Sequence, residues 1–256
     1  GFVKVVNVLL ARKEIQINQA KENGTTPLFI ACWNGHVDVV RLLWKRNEIH
    51  INQADNAERT PLYVACQYGH VDIVRLFLAH RQIHINKAME DGTTPLYITC
   101  QYGHVKVVNA LLAMPDIDVN LAKKDGCTPL YIACEKGRVK VVNALLAMPD
   151  IDVNQAEEDG ATPLWTTCYE GHVDVVRLLL ARNYIDVNQA KESGATPLYI
   201  TCQQGHVDVV RLLLAREEIR INQAMEGGFT PLYITCGKGH VDVVQLLLAR
   251  KDIQIN

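Results

Sequence analysis

The sequence has no long hydrophobic run and no excess charge of either sign. No apolar stretch approaches the roughly 20 residues that a membrane-spanning helix needs, so we expect no membrane insertion. The chain has 256 residues with 26 basic and 28 acidic side chains, which gives a net charge of -2. A protein that holds nucleic acid through its phosphates needs a basic face. We therefore expect no nucleic-acid partner.

The sequence also lacks the short motifs of common enzyme classes. It contains no G-x-x-x-x-G-K-[ST] phosphate loop, no G-x-G-x-x-G, no G-x-S-x-G and no H-E-x-x-H. His80 and His84 lie four residues apart, but no glutamate stands between them in that pattern and no third ligand is apparent. We predict a protein that is not an enzyme and that needs no metal ion or other cofactor.

Cysteine is present, but its spacing argues against disulfides. Neighbouring elements of a stacked array lie roughly 8 to 10 Å apart, whereas a disulfide needs Cα atoms within roughly 7 Å. We predict eight reduced thiols, with Cys127 outside the regular series. Because no secretion signal is evident, we expect a cytoplasmic, reducing location. The seven cysteines that recur every 34 residues are Cys32, Cys66, Cys100, Cys134, Cys168, Cys202 and Cys236.

A 34-residue repeat runs through the whole chain, marked by Thr-Pro-Leu at its start. The unit reads close to D-G-x-T-P-L-Y-I-x-C-Q-x-G-H-V-D-V-V-R-L-L-L-A-R-x-x-I-x-I-N-Q-A-x-E. One such unit cannot bury its apolar faces alone, whereas stacked units can. We therefore predict a single domain over residues 1–256. It comprises a partial unit at 1–22, six units that begin at residues 23, 57, 91, 125, 159 and 193, and a last, truncated unit at 227–256.

Each unit predicts two short helices and a tight turn. Asp-Gly or Asn-Gly favours the turn, because glycine adopts positive φ without steric cost. Thr before Pro favours a helix start, since the Thr hydroxyl accepts from free N–H groups and Pro loses no hydrogen bond at the first position. The second helix, for example 37–46, places Val37, Val40 and Leu43 on one face.

The unit resembles the ankyrin repeat, whose signature T-P-L-H-x-A-A-x-x-G-H is matched here by T-P-L-Y-I-x-C-x-x-G-H. The resemblance covers the whole chain. It implies an all-α repeat solenoid in which helix-turn-helix units with β-hairpin-like connecting loops form a curved stack. The unit is one residue longer than is usual in the family. In one unit Glu58 replaces the turn glycine, so this turn should change its geometry or cost about 1 to 2 kcal/mol in a left-handed conformation.

Three regular positions receive a structural interpretation. The histidines that follow glycine repeat once per unit, whereas the ligands of a zinc ion converge on one point. We interpret them as hydrogen-bonding residues at the start of the second helix. The aromatic series that includes Tyr63 and Tyr97 is expected to support the stack. The asparagines such as Asn120, Asn154 and Asn188 resemble positions that asparaginyl hydroxylases modify in some ankyrin proteins, but we expect each to hydrogen-bond its own hairpin.

Residues that differ between units are the best candidates for partner contact, since the scaffold does not dictate them. Two positions vary most: the pair before each Gly-His, and the residue after the turn glycine. In ankyrin proteins both sets face the concave groove, and Trp, Tyr and Arg are frequent energetic anchors of interfaces. The predicted partner-binding residues on the concave surface are Trp33, Arg59, Tyr68, Tyr102, Lys136, Tyr169 and Phe229.

The resemblance implies a protein–protein interaction module that binds a partner protein along the concave groove. One alternative is a regulatory or targeting segment of a larger enzyme, channel or effector, which would agree with a chain that begins within a unit and ends without a polar terminal unit. A second alternative is a purely structural spacer or a designed scaffold, because several units are nearly identical over V-D-V-V-R-L-L-L-A-R. We expect a monomer, with uncapped terminal units as a route to end-to-end association.

Overall fold

The protein is an all-α repeat solenoid. The computed structural model describes residues 2–12 and 14–255, and these ranges contain fifteen α-helices and no strand. In each repeat the even-numbered helix comes first and the odd-numbered helix second. In chain order the helices are α1 (Phe2–Leu10), α2 (Pro27–Trp33), α3 (Val37–Trp44), α4 (Pro61–Gln67), α5 (Val71–Leu78), α6 (Pro95–Tyr102), α7 (Val105–Leu112), α8 (Pro129–Glu135), α9 (Val139–Leu146), α10 (Pro163–Glu170), α11 (Val173–Leu180), α12 (Pro197–Gln204), α13 (Val207–Leu214), α14 (Pro231–Lys238) and α15 (Val241–Leu248).

The chain divides into two compact parts at a repeat boundary. The N-terminal part ends at Lys124 and the C-terminal part begins at Asp125. Within the N-terminal part, the first helices α2, α4 and α6 pack side by side, and the second helices α1, α3, α5 and α7 follow the same order. Within the C-terminal part, α8, α10, α12 and α14 form the row of first helices, and α9, α11, α13 and α15 form the row of second helices.

Every first helix begins as the Thr-Pro pair predicts. The Thr26 hydroxyl accepts a hydrogen bond from the N–H of Phe29 at 3.1 Å, and Pro27 occupies the first helical position. The other six Thr-Pro pairs form the same cap. A side-chain acceptor at this position satisfies an N–H group that has no partner within the helix. These caps fix where each first helix starts.

The second helices are shorter than expected, and the first residue of the predicted apolar face is less buried than expected. The first of them after the Thr-Pro-Leu motif runs over Val37–Trp44 and not over 37–46. Its buried residues are Val39, Val40 and Leu43, whereas Val37 is only half-buried. The prediction for Val37 was therefore wrong. A second helix packs both on the first helix of its own repeat and on neighbouring second helices, so its apolar stripe is wider than one helix face.

The connecting turns are hairpin-like without forming strands in the described residues. The N–H of Lys21 donates to the carbonyl of Thr25 at 3.0 Å, and the N–H of Gly24 donates to the carbonyl of Lys21 at 2.8 Å. Adjacent turns are joined as well, since the N–H of Asn56 donates to the carbonyl of Asn23 at 3.0 Å. The turns thus form a second line of contact between repeats, beside the packed helices.

The recurring histidines link neighbouring repeats, which confirms their structural interpretation. In the N-terminal part, Nε2 of His70 donates to the carbonyl of Trp33 at 3.0 Å. The ring lies so close to Gly35 that a Cβ atom there would be 2.6 Å away. The same bond joins His206 to the carbonyl of Tyr169 in the C-terminal part. Five of the six recurring histidines hold the end of the preceding first helix in this way.

The recurring asparagines also link repeats, but not in the way expected from the sequence. The Asn154 side chain donates to the carbonyl of Tyr184 at 2.8 Å and accepts from the N–H of Asp186 at 2.9 Å, and both partners lie in the next repeat. Asn188 does the same one repeat later. The prediction that these side chains bond their own hairpin was wrong. Because an amide side chain carries both a donor and an acceptor, one asparagine binds a carbonyl group and an N–H group of the next repeat.

Six of the eight cysteines are buried, and all eight are free. Burial raises the pKa of the Cys66, Cys134, Cys168 and Cys202 thiols to about 12. These thiols stay protonated near neutral pH, and the protonated form is not the nucleophile. The regular cysteines therefore act as small apolar core residues.

Thiol labelling tests this assignment. In native protein at neutral pH, we expect the exposed Cys236 and the half-buried Cys127 to react first. The six buried thiols should react at least about 100-fold more slowly, because the attacking thiolate is scarce and shielded. Denaturation without a reductant should expose eight thiols. A total of six or fewer in a fresh sample would contradict the free-thiol assignment.

Candidate functional site

Three of the predicted partner-binding residues lie together at the ends of neighbouring first helices in the N-terminal part. Trp33 ends α2, Tyr68 follows the last residue of α4, and Tyr102 ends α6. Tyr68 and Tyr102 are 43% and 49% exposed, and Trp33 is half-buried. The Trp33 and Tyr68 rings stack with their centroids 5.8 Å apart. These residues thus lie at the same end of the row formed by α2, α4 and α6, with the rings of Trp33 and Tyr68 in contact.

Arg59 joins this surface from the turn that precedes α4. Its guanidinium lies 5.2 Å from the ring centroid of Trp33 and 5.7 Å from that of Phe29. The Asp55 carboxylate accepts from Nε and Nη2 of Arg59, at 2.9 and 2.6 Å. An arginine that stacks on a ring and binds a carboxylate with two donors is held in one geometry. We call Trp33, Arg59, Tyr68 and Tyr102 the aromatic–arginine surface.

The turn that carries Arg59 contains the departure predicted at Glu58. Among the described residues, Glu58 is the one non-glycine residue with positive φ, at 60°. Of the two expected outcomes, the left-handed conformation is therefore the one observed, at a cost of about 1 to 2 kcal/mol. The buried Asp55 carboxylate offsets this cost, because it also accepts from the N–H groups of Ala57 and Arg59 at 3.1 and 2.9 Å. Sequence reasoning did not identify Asp55, whose only signal is an acidic residue four positions before an arginine.

The C-terminal part carries a second aromatic group. Tyr169 is 44% exposed, and its ring stacks on Trp165 with centroids 5.8 Å apart. The Lys191 ammonium lies 4.9 Å from the Trp165 ring centroid and 3.3 Å from an oxygen of Asp159. Lys136 is exposed at the end of α8, where it pairs with Glu135. Sequence reasoning assigned the position of Trp165 to the stack and did not identify Lys191. A tryptophan with a lysine 26 residues later was the available signal.

Phe229 lies on a turn and not at the end of a first helix. It is 41% exposed, and its ring centroid lies 4.9 Å from that of Tyr233. It follows the turn glycine, a position at which most repeats carry a small, buried residue. A small side chain fits beneath the turn, where the Thr25 hydroxyl donates to the Asn23 side chain at 2.7 Å. The longer side chains of Arg59 and Phe229 extend beyond the turn. The buried members are Thr25, Thr93, Ala161 and Ala195.

The regular aromatic series mostly supports the stack, as predicted. Four of its members are almost completely buried, Tyr131 and Trp165 are half-buried, and Tyr233 in the last repeat is exposed. Burial raises the pKa of the Tyr63 hydroxyl to about 12. These rings fill the space between first helices and leave the exposed aromatic area to the residues nearer the helix ends. The buried members are Phe29, Tyr63, Tyr97 and Tyr199.

Neither a metal cluster nor a membrane-spanning helix is found in the described part of the chain. In the described part of the chain, no group of three or more His, Cys, Asp or Glu side chains is arranged to hold a metal ion. None of the described helices is both long enough and apolar enough to span a bilayer. Aromatic faces, guanidinium and amide groups supply stacking and hydrogen bonds.

Comparison with known proteins identifies the family. The family model "Ankyrin repeats (3 copies)" matches residues 1–89, 81–157, 116–191, 149–225 and 184–256. The crystal structure of the human ASB11 ankyrin repeat domain is similar, with a TM-score of 0.74 and 26% identity, over 90% of this chain and 100% of that chain. A search of curated protein sequences gives no match. Ankyrin repeats are generally protein–protein interaction modules and are typically non-catalytic. The chain belongs to the ankyrin-repeat family.

Proposed function

We propose that this protein binds a partner protein through the ends of its first helices and the adjoining turns. The observation that supports this most directly is the aromatic–arginine surface. The rings of Trp33 and Tyr68 stack, yet Tyr68 and Tyr102 still expose nearly half of their surface area to water. Exposed aromatic area beside an ordered arginine is typical of the residues that contribute most to binding.

The second helices are poorer candidates. Their exposed charges recur as an acidic and a basic residue in several repeats, as in Asp72 and Arg75, whose charged atoms lie 3.9 Å apart, whereas Lys106 and Lys140 replace the acidic residue in two others. Both of these side chains are about two-thirds exposed, and an ion pair of this kind contributes little to stability or specificity.

The C-terminal part contributes its own candidate contacts. Tyr169 with Trp165 and Lys191 repeats the combination of two rings and one cation seen around Trp33. Lys136 and Phe229 are exposed and complete the proposed set. A reducing, cytoplasmic setting suits this protein, because its fold places six cysteines in the core as free thiols.

Replacing two tyrosines tests the proposal. Tyr68→Ala together with Tyr102→Ala should weaken partner binding by about 2 kcal/mol or more, since truncating exposed aromatic anchors removes the best-packed contacts. The melting temperature should stay nearly constant, because neither ring is buried in the core. Partners are captured from a lysate of the source organism and identified, and the dissociation constant is then measured by calorimetry for the wild type and the variant.

The matched control lies in the same repeat as Tyr68. Asp72→Ala with Arg75→Ala removes exposed charges from α5 and should leave both affinity and melting temperature nearly unchanged. If the charge pair abolished binding while the tyrosine pair did not, the partner would lie on the second helices and the proposal would be wrong.

A further inference from the structure

The spacing of the exposed rings matches one peptide conformation. Tyr68 and Tyr102 occupy the same position of adjacent repeats, and their helices α4 and α6 pack side by side. Packed helices lie about 8 to 10 Å apart. A polyproline II helix has three residues per turn with a rise that gives about 9 Å per turn. Side chains at i and i+3 of such a segment would therefore meet successive rings.

The free hydrogen-bond donors of the surface favour the same conformation. Arg59 uses Nε and Nη2 on Asp55, and within the described chain its Nη1 donates to no protein acceptor. The indole N–H of Trp33 likewise donates to no protein acceptor within the described chain. Trp33 is half-buried and lies beside the Arg59 guanidinium. A helical partner would satisfy its own carbonyl groups, whereas a polyproline II segment has no internal hydrogen bonds and leaves every carbonyl free.

The charges of this surface are balanced and paired, which argues for an uncharged partner segment. The Arg59 guanidinium is neutralised by the buried Asp55 carboxylate, and Lys87 lies 3.7 Å from Glu58. No net charge remains to attract an acidic or a basic peptide. Five basic and five acidic side chains lie in the turn segments of this part, residues 21–25, 55–59, 87–93 and 123–124.

The geometry of Arg59 is maintained at a conformational cost. Glu58 adopts a left-handed conformation that the turns of most other repeats assign to glycine, and the buried Asp55 binds both the backbone and the side chain of Arg59. Strain of this kind persists where surrounding contacts determine it, and it often marks a binding position. The turn thus holds the Arg59 guanidinium over the ring of Trp33.

We propose that the aromatic–arginine surface binds an uncharged, proline-containing segment of a partner in the polyproline II conformation. Prolines at every third position stack on Tyr68 and Tyr102, and carbonyl groups of the segment accept from Arg59 Nη1 and the Trp33 indole N–H. Aromatic-lined surfaces recognise such segments because their conformation is already ordered before binding. This inference rests on the proposed function and specifies the chemistry of the partner.

A defined peptide tests the inference on the full chain. The probe is a capped peptide of about twelve residues with the repeating sequence Pro-Pro-Ala, which forms polyproline II in water. The signal is the indole N–H resonance of Trp33 in two-dimensional NMR, with that of Trp44 as the internal reference. We expect the Trp33 resonance to shift saturably, and its apparent affinity to fall at least about tenfold in the Tyr68→Ala, Tyr102→Ala variant.

Tyr184→Ala, which removes a 56% exposed ring from the C-terminal part, is the matched control and should leave the titration unchanged. Stronger binding of a Pro-Pro-Glu peptide, or no Trp33 shift with Pro-Pro-Ala, would overturn the inference. A selection from random peptides separates the two proposals. Selected peptides that require Tyr68 and Tyr102 but lack proline, or that are helical, would overturn the polyproline inference alone. Peptides that bind independently of both tyrosines would count against the proposed function as well.

Discussion

Replacing Phe77 with alanine is expected to lower the free energy of unfolding by about 3 to 5 kcal/mol. The Phe77 side chain is fully buried between the helices of the N-terminal part. The Trp44 ring meets it edge-on, with centroids 4.8 Å apart. Truncation would remove this aromatic contact and leave a cavity that the surrounding helices can fill only partly. Urea denaturation followed by circular dichroism measures the change.

Two variants calibrate this result. Phe77→Leu introduces the residue that the other repeats carry at this position and should cost less than about 2 kcal/mol, because most of the volume is kept. Phe2→Ala removes a ring that is 70% exposed and should change the unfolding free energy by less than about 1 kcal/mol. If Phe2→Ala were as damaging as Phe77→Ala, burial in this core would not be the source of stability.

Replacing Gly171 with alanine should destabilise the protein by about 3 kcal/mol, more than a left-handed residue alone costs. Gly171 ends α10 with φ of 75°, and a Cβ atom there would lie 2.7 Å from the His206 ring. The ring would have to move, and its bond of 3.0 Å to the Tyr169 carbonyl would weaken or break. The measurement is again the urea midpoint and slope.

Gly239 provides an unusually close control for Gly171. Its φ is 74°, but a Cβ atom there would meet no other atom within 4 Å. Gly239→Ala should therefore cost only the conformational part, about 1 to 2 kcal/mol. Equal losses in the two variants would show that the histidine contact contributes nothing to the stability of the stack.

The sequence alone predicts those contacts that lie within one repeat. The Thr26 cap and the helix that begins at Pro27 follow from local chemistry, and both are present. It does not predict contacts whose partner lies in the next repeat. Nothing in the residues around Asn154 shows that its amide reaches Tyr184, because that contact depends on how repeats stack.

The candidate site was predictable to a similar extent. Variation between repeats pointed to Trp33, Tyr68 and Tyr102, and these three lie on one surface. The same criterion overlooked Asp55 and Lys191, because their importance comes from a cation and a ring brought together by the fold. Arg59 lies 26 residues after Trp33 and Lys191 lies 26 residues after Trp165, a spacing that differs from the 34-residue repeat.

The bond between each histidine and the preceding repeat has an evolutionary consequence. Six of the seven Thr-Pro-Leu repeats carry a histidine ring at the start of the second helix, whereas one repeat carries Arg138 there. Five of these rings lie against the glycine and bind the carbonyl group at the end of the preceding first helix. A duplicated or deleted 34-residue segment would therefore join its neighbours without any new interaction having to arise. The residues whose carbonyl is held, such as Trp33 and Tyr169, can meanwhile change their side chains, because the bond uses only their backbone. Recognition can thus diverge by gene duplication while the joints between repeats stay the same.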